Sequence, residues 1–170
     1  MSDRALRTTL VDRALGFADT IVLGDKRAEL LAGASGRVLD ADVRAQALAL
    51  AGVPDGSFDT VVCTLVLCRV DDPLAVARRL RSLLAPGGSL LFLEHVRATG
   101  AAGVAQRLAG PLWRRMSAGC HLDRNTLHTL REAGFVITDC SRSPGPLVCG
   151  RAMPRADVSG RSAVVFGADR

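Results

Sequence analysis

Glu94 and His95 stand side by side just after an apolar run, Ser89 to Leu93, and His121 stands beside Cys120. A carboxylate or an imidazole held in position can take up and return a proton near neutral pH. The chemistry these residue types suggest is general acid–base proton transfer, with Glu94, His95 and His121 as the candidate catalytic groups. The five cysteines are Cys63, Cys68, Cys120, Cys140 and Cys149. No two have Cys-x-x-Cys spacing, and an odd count does not suggest a disulfide framework. Cys63 lies in an apolar run and reads as a small buried thiol. His95 and His121 have too little local support to suggest zinc, so the sequence predicts no metal site.

The surrounding pattern must position these groups. Phe58 to Leu65 is a near-continuous apolar run rich in β-branched residues, suited to a parallel strand buried on both faces. Asp72-Pro73 is a helix start with proline in the first turn, and Val76, Leu80, Leu83 and Leu84 give that helix an apolar face. Pro86-Gly87 suits a turn in which glycine takes positive φ, and Ser89 to Leu93 is the next buried strand. Upstream, Leu6, Leu10, Val11, Ala14, Leu15 and Ala18 recur at helical spacing. A short helix is predicted near Asp25, closed by Gly33 and Gly36, and Arg37 to Asp40 reads as a strand. Downstream, Val104 to Met116 is helical in pattern with Gly110-Pro111 expected to interrupt it. Asp123 is a candidate cap for the next helix, with Leu122 and Leu127 as its hydrophobic staple. Phe135 to Cys140 is a strand, a Gly-, Pro- and Ser-rich loop follows, and Ser162 to Gly167 is a final strand.

Alternating strands and helices predict an α/β open sheet with right-handed crossovers. About five strands are expected, mostly parallel with an antiparallel C-terminal strand. The 170 residues suit one domain, with 1–35 as a helical cap and 36–170 as the core. In such sheets ligands bind at the carboxyl ends of the strands. Here those ends hold Asp40, Cys63-Thr64-Leu65 and Glu94-His95.

Net charge is +5, and only Lys26 among the 22 basic residues is a lysine. The arginines are scattered and aromatics are only 4%, so base-stacking surfaces are scarce. The charge reads as ordinary surface charge, with no specific nucleic-acid partner. The N-terminal stripe could rest on a membrane, but a lid or packing helix is the commoner use. Charges at Asp3, Arg4, Arg7, Asp12 and Arg13 break any signal-peptide core, and the expectation is a cytoplasmic protein.

Several segments together resemble the class I S-adenosylmethionine-dependent methyltransferases. Gly36-Arg37-Val38-Leu39-Asp40 is similar to the family's first strand with its terminal acid. Asp55-Gly56-Ser57-Phe58-Asp59 and the run through Cys68 resemble its fourth strand and outlet. Leu84-Ala85-Pro86-Gly87-Gly88 and Leu90 to Val96 resemble the turn and fifth strand. Gly119-Cys120-His121-Leu122, followed by Ala133-Gly134-Phe135, is similar to the type 11, thiol methyltransferase-like branch, with ubiquinone and menaquinone methyltransferases more distant. The resemblance implies a truncated Rossmann-like fold and a small-molecule thiol or hydroxyl acceptor. It also implies S-adenosylmethionine binding at Asp40, Asp42 and the Cys63-Thr64-Leu65 outlet, with Thr64 and Leu65 beside the methionine part. By the resemblance Asp42 reads as the adenine-side acid; by the local pattern, the reading preferred here, it is a helix cap.

One family feature is missing. Asp40 is followed by no glycine until Gly52, whereas the family has a glycine-rich loop that lets backbone approach the cofactor. Only 17 residues separate Asp40 from Phe58. That suffices for one crossover helix of about 12 residues, but not for two further βαβ repeats of about 30 residues each. The sequence therefore predicts loss of the loop and second strand, and weakened or lost cofactor binding. It also predicts a first strand left at the sheet edge, open to self-association. The alternative reading is a catalytically inactive relative that serves as a binding or scaffold module.

Overall fold

The computed structural model describes residues 24–41, 52–117, 119–142 and 146–156. Within them a helix, α1, covers residues 24–32. The remaining elements are β1 (Val38–Ala41), β2 (Phe58–Thr64), α2 (Pro73–Leu83), β3 (Leu84–His95), α3 (Gly100–Met116), α4 (Thr126–Glu132), β4 (Phe135–Arg142) and β5 (Leu147–Pro154). The N-terminal stripe, Asp42 with its candidate helix, and the predicted strand Ser162 to Gly167 lie outside the described residues.

The five strands form one sheet in the order β1-β2-β3-β5-β4. β1, β2 and β3 run parallel, with Asp40 opposite Val62 and Thr64 opposite Leu93. β5 is antiparallel to both β3 and β4. This is the expected α/β Rossmann-like open sheet. Among the described residues β1 has a single neighbour and lies at the sheet edge.

The apolar runs are strands because both faces are covered. Residues 60–64 of β2 and 89–95 of β3 are all buried. Side chains alternate between faces along a strand. Leu90 and Phe92 meet Ala77, Leu80 and Leu83 of α2 and Leu130 of α4 in the main core. Leu93 meets a second cluster with Leu65, Cys68, Cys120, Leu122 and Leu147, packed against Leu30 and Trp113. α2 begins as expected: the Asp72 carboxylate accepts the Ala75 N–H at 2.9 Å, and Pro73 opens the first turn.

Four expectations need correction. The segment read as a Gly/Pro/Ser loop contains β5, which lies inside the sheet between β3 and β4. Its glycine is a packing requirement, since a Cβ at Gly150 would lie 2.1 Å from the Asp139 carbonyl oxygen. Pro111 does not interrupt α3. Proline there removes only one internal N–H, and the neighbouring Leu112 is 65% exposed, so the outer face has no packed layer to disturb. Asn125, two residues after Asp123, caps α4 by accepting the His128 N–H at 3.3 Å. Leu122 and Leu127 enter different clusters and do not pair as a staple.

Candidate functional site

The carboxyl ends of β1, β2 and β3 lie in register along one edge of the sheet. After β2 the chain turns sharply. Leu65 adopts φ +53°, a left-handed conformation that costs a branched residue about 1–3 kcal/mol. Its N–H still donates to the Leu93 carbonyl at 2.8 Å. The next three amides then converge on one carboxylate. Glu94 accepts the Val66 and Leu67 N–H at 2.8 and 2.9 Å through Oε1, and the Cys68 N–H at 3.1 Å through Oε2. Successive N–H groups after a left-handed residue make a concave anion site, and here the protein's own side chain fills it. The Cys63 thiol donates to the same carboxylate at 3.4 Å. Burial raises the Glu94 pKa, while the three amides and the thiol pull it back down. Burial, and then the Glu94 charge, push the Cys63 thiol well up, which keeps it protonated.

His95 closes β3. Its carbonyl accepts the Thr126 hydroxyl at 2.9 Å, and its Nδ1 lies 3.1 Å from Cys120 Sγ and 3.6 Å from Cys68 Sγ. The two sulfurs are 3.5 Å apart. All three residues are buried. The hydrogen bond between Cys120 and Cys68 lowers the Cys120 pKa, assisted by His95 and by the Trp113 indole. The same bond, with burial and Glu94, raises that of Cys68. One thiolate is favoured and the second is opposed.

Buried polar ties hold these loops together. The Gln106 amide of α3 donates to the Val96 and Leu122 carbonyls at 3.1 and 3.2 Å and accepts the Ala98 N–H at 2.6 Å. The His121 N–H donates to the Cys68 carbonyl at 2.8 Å. The Arg124 guanidinium donates to the Leu67 and Val70 carbonyls. The turn carrying Cys120 is thereby anchored to the outlet of β2.

The residues singled out from sequence separate into groups. Thr64, Leu65, Glu94 and His95 share the joined ends of β2 and β3. The Thr64 hydroxyl is buried there without a hydrogen-bond partner. Asp40 ends the neighbouring strand and is ion-paired with Arg27. The His121 ring is only partly buried. Burial, then Arg124 and Arg114, lower its pKa and favour the neutral imidazole. Asp42 lies outside the described residues. Sequence reasoning missed Cys68 and Cys120 as neighbours of His95. The one available signal was that Cys68 and His95 each follow a predicted parallel strand.

An open sheet whose first three strands run parallel, with polar groups gathered at their carboxyl ends, defines an α/β domain of the Rossmann-like class. Residues 9–139 match the family model described as a methyltransferase domain. The chain belongs to the class I S-adenosylmethionine-dependent methyltransferase family. It is 43% identical over 95 residues to human thiol S-methyltransferase TMT1B, covering 55% of this chain and 39% of that protein. Against human thiol S-methyltransferase TMT1A it is 40% identical over 97 residues, covering 56% and 40%. Against the ubiquinone biosynthesis O-methyltransferase of Xanthomonas euvesicatoria pv. vesicatoria it is 36% identical over 107 residues, covering 59% and 45%. The chain therefore spans less than half the length of these relatives. Among solved structures, TnmH superposes with a TM-score of 0.56 at 20% identity, covering 90% of this chain and 60% of TnmH. That likeness is one of fold.

Proposed function

We propose that this chain is a small-molecule methyltransferase using S-adenosylmethionine and a thiol or hydroxyl acceptor, with a cofactor cradle weaker than is usual for the fold. The observation that carries the reading is the Thr64 hydroxyl. It is a buried polar atom with no partner, beside the left-handed Leu65, where parallel strands end. Buried hydroxyls are rarely left unpaired, and a polar ligand group at this edge would satisfy it. The donor set fits the cofactor on this side: Thr64 and Leu65 would hold its methionine part, with Asp40 toward the adenosine; the resemblance adds Asp42, which lies outside the described residues. When bound, the cofactor supplies an electrophilic methyl group on a sulfonium centre. The chain's own tasks are to align the acceptor and exclude water. Glu94 shapes the outlet loop by binding three of its amides. The imidazoles of His95, with Nδ1 3.1 Å from Cys120 Sγ, and of His121, next to Cys120 in the chain, are the candidates to take up the acceptor's proton. The relatives named as thiol S-methyltransferases and an O-methyltransferase support a small thiol or hydroxyl. The weak cradle rests on the absence of glycine between Asp40 and Gly52 and on the Arg27 partner already held by Asp40.

Calorimetric titration of the pure chain with S-adenosylmethionine tests this, paired with methyl transfer to a small alkyl thiol. Weak saturable binding with slow thioether formation is expected. Tight binding would refute the weakened cradle. Neither binding nor transfer would refute the enzyme and favour the inactive scaffold. Unchanged turnover after replacing both His95 and His121 with alanine would remove the imidazoles from the chemistry.

A further inference from the structure

We propose that Cys68, His95 and Cys120 form a binding site for a soft d10 metal ion, zinc in the first instance. The site has two thiolates and one imidazole as protein ligands and a fourth position open to an exogenous donor. The donor atoms come from three separate places in the fold: the loop after β2, the end of β3 and the turn after α3. They nevertheless lie within 4.8 Å of one another. Nothing in local sequence spacing requires this, since the sulfurs are 52 residues apart in the chain.

The distances suit a metal. Zinc sits about 2.3 Å from sulfur and about 2.0–2.1 Å from nitrogen. In a tetrahedron those bonds place sulfur about 3.8 Å from sulfur and about 3.5 Å from nitrogen. The observed separations are 3.5 Å between sulfurs, and 3.1 and 3.6 Å from sulfur to Nδ1. One triangular face of the coordination shell is present to within a few tenths of an ångström. The sulfur separation is far from the roughly 2.05 Å of a disulfide. Thiolate with imidazole is also the donor chemistry that selects zinc or copper(I) over magnesium or calcium.

The scaffold is built before any ion arrives. Glu94 holds the Cys68 N–H and His121 holds its carbonyl. Thr126 holds the His95 carbonyl, and the Ser117 carbonyl accepts the Cys120 N–H at 3.2 Å. The trio is walled by Leu65, Leu93, Leu122 and Leu147. A second, independent feature points the same way. The Trp113 indole is buried against Cys120, whose pKa it helps to lower, and the ring meets His95 edge-on with centroids 6.4 Å apart. Metal-bound thiolates accept such outer donors. Among the described residues no fourth Cys, His, Asp or Glu joins the trio, the arrangement of zinc sites that keep one exchangeable position.

Binding forms two metal–sulfur bonds and one metal–nitrogen bond. Two protons leave to solvent, whether the proton shared by Cys120 and His95 begins on sulfur or on nitrogen. The claim concerns metal uptake and is read from metal content, separately from cofactor binding; in the zinc-loaded chain His121 is left as the imidazole to take up the acceptor's proton.

The test uses the full reduced chain. After loading with zinc and gel filtration, one equivalent should remain by elemental analysis. Cobalt(II) loading should give thiolate-to-metal charge-transfer bands with tetrahedral d–d bands. Cys68→Ser and Cys120→Ser should lose the metal, whereas Cys140→Ser and Cys149→Ser should retain it. His95→Ala should weaken zinc binding by at least the roughly 10–100-fold that loss of an outer partner costs. X-ray absorption of the zinc-loaded wild type, which needs no variant to fold, should show two sulfur neighbours and an imidazole. The proposal is overturned by a zinc shell without sulfur, or by retention equal to that of the Cys68→Ser/Cys120→Ser double variant. It is equally overturned by a reduced chain that takes up no zinc and forms a Cys68–Cys120 disulfide in air.

Discussion

Replacing Glu94 with alanine should damage the fold far more than the loss of one side chain suggests. The carboxylate accepts three consecutive amides at 2.8, 2.9 and 3.1 Å and the Cys63 thiol at 3.4 Å, in a fully buried position. A buried donor left unsatisfied costs about 1–3 kcal/mol, so three orphaned amides cost about 3–9 kcal/mol before solvent enters. Water filling part of the vacated space recovers some of this, and a net loss of about 3–5 kcal/mol is expected. That is a large share of the roughly 5–15 kcal/mol holding a typical domain together. Glu94→Gln keeps one acceptor oxygen but turns an N–H toward one of the amides, and should lose about 1–3 kcal/mol. Denaturant melts at fixed pH would read both values, with the order alanine worse than glutamine worse than wild type. An alanine variant within about 1 kcal/mol of wild type would show that the amides do not depend on Glu94, and the account of the outlet loop would fail.

Thr64→Val removes a hydroxyl that has no partner. The ligand-free chain should hold or gain stability by up to about 1 kcal/mol, while calorimetry should show weaker S-adenosylmethionine binding. Lower stability together with unchanged binding would contradict both halves. Gly150→Ala forces a methyl to within 2.1 Å of the Asp139 carbonyl oxygen and 2.9 Å of the Phe92 ring, and should lower stability by about 1–3 kcal/mol in thermal melts. The Asp59 carboxylate accepts the Arg37 N–H at 2.8 Å, and that bond, then the Arg37 guanidinium, hold its pKa below the ordinary 3.8. Its contribution is present above that value and disappears as pH falls through the depressed one. Melting points of wild type and Asp59→Asn should therefore differ at neutral pH and converge in acid.

How much of this was visible in the chain depended on how local each determinant is. The runs Phe58 to Thr64 and Ser89 to Leu93 are unbroken because both faces are covered, so they announce buried parallel strands. Asp72-Pro73 carries its own cap. β5 was hidden because Gly150 answers to a carbonyl on β4, a contact unrelated to local propensity. Asn125 displaced Asp123 as a cap through tertiary fit of the preceding turn. Thr64, Leu65, Glu94 and His95 were accessible through the rule that ligands gather where parallel strands end. The Cys68–His95–Cys120 cluster was not, because motif spacings describe ligands on one short loop, and these donors converge only through the tertiary ties of Gln106, Arg124 and His121.

The strand order also constrains how the molecule is made. β5 is the last described strand in the chain but is threaded between β3 and β4, and it supplies the only pairing that either shares with the other. During synthesis the two halves of the sheet stay unzipped until residue 154 has left the ribosome. A nascent chain stalled before Leu147 would present two open seams to chaperones or to other stalled copies, and its quality control would hinge on eight residues.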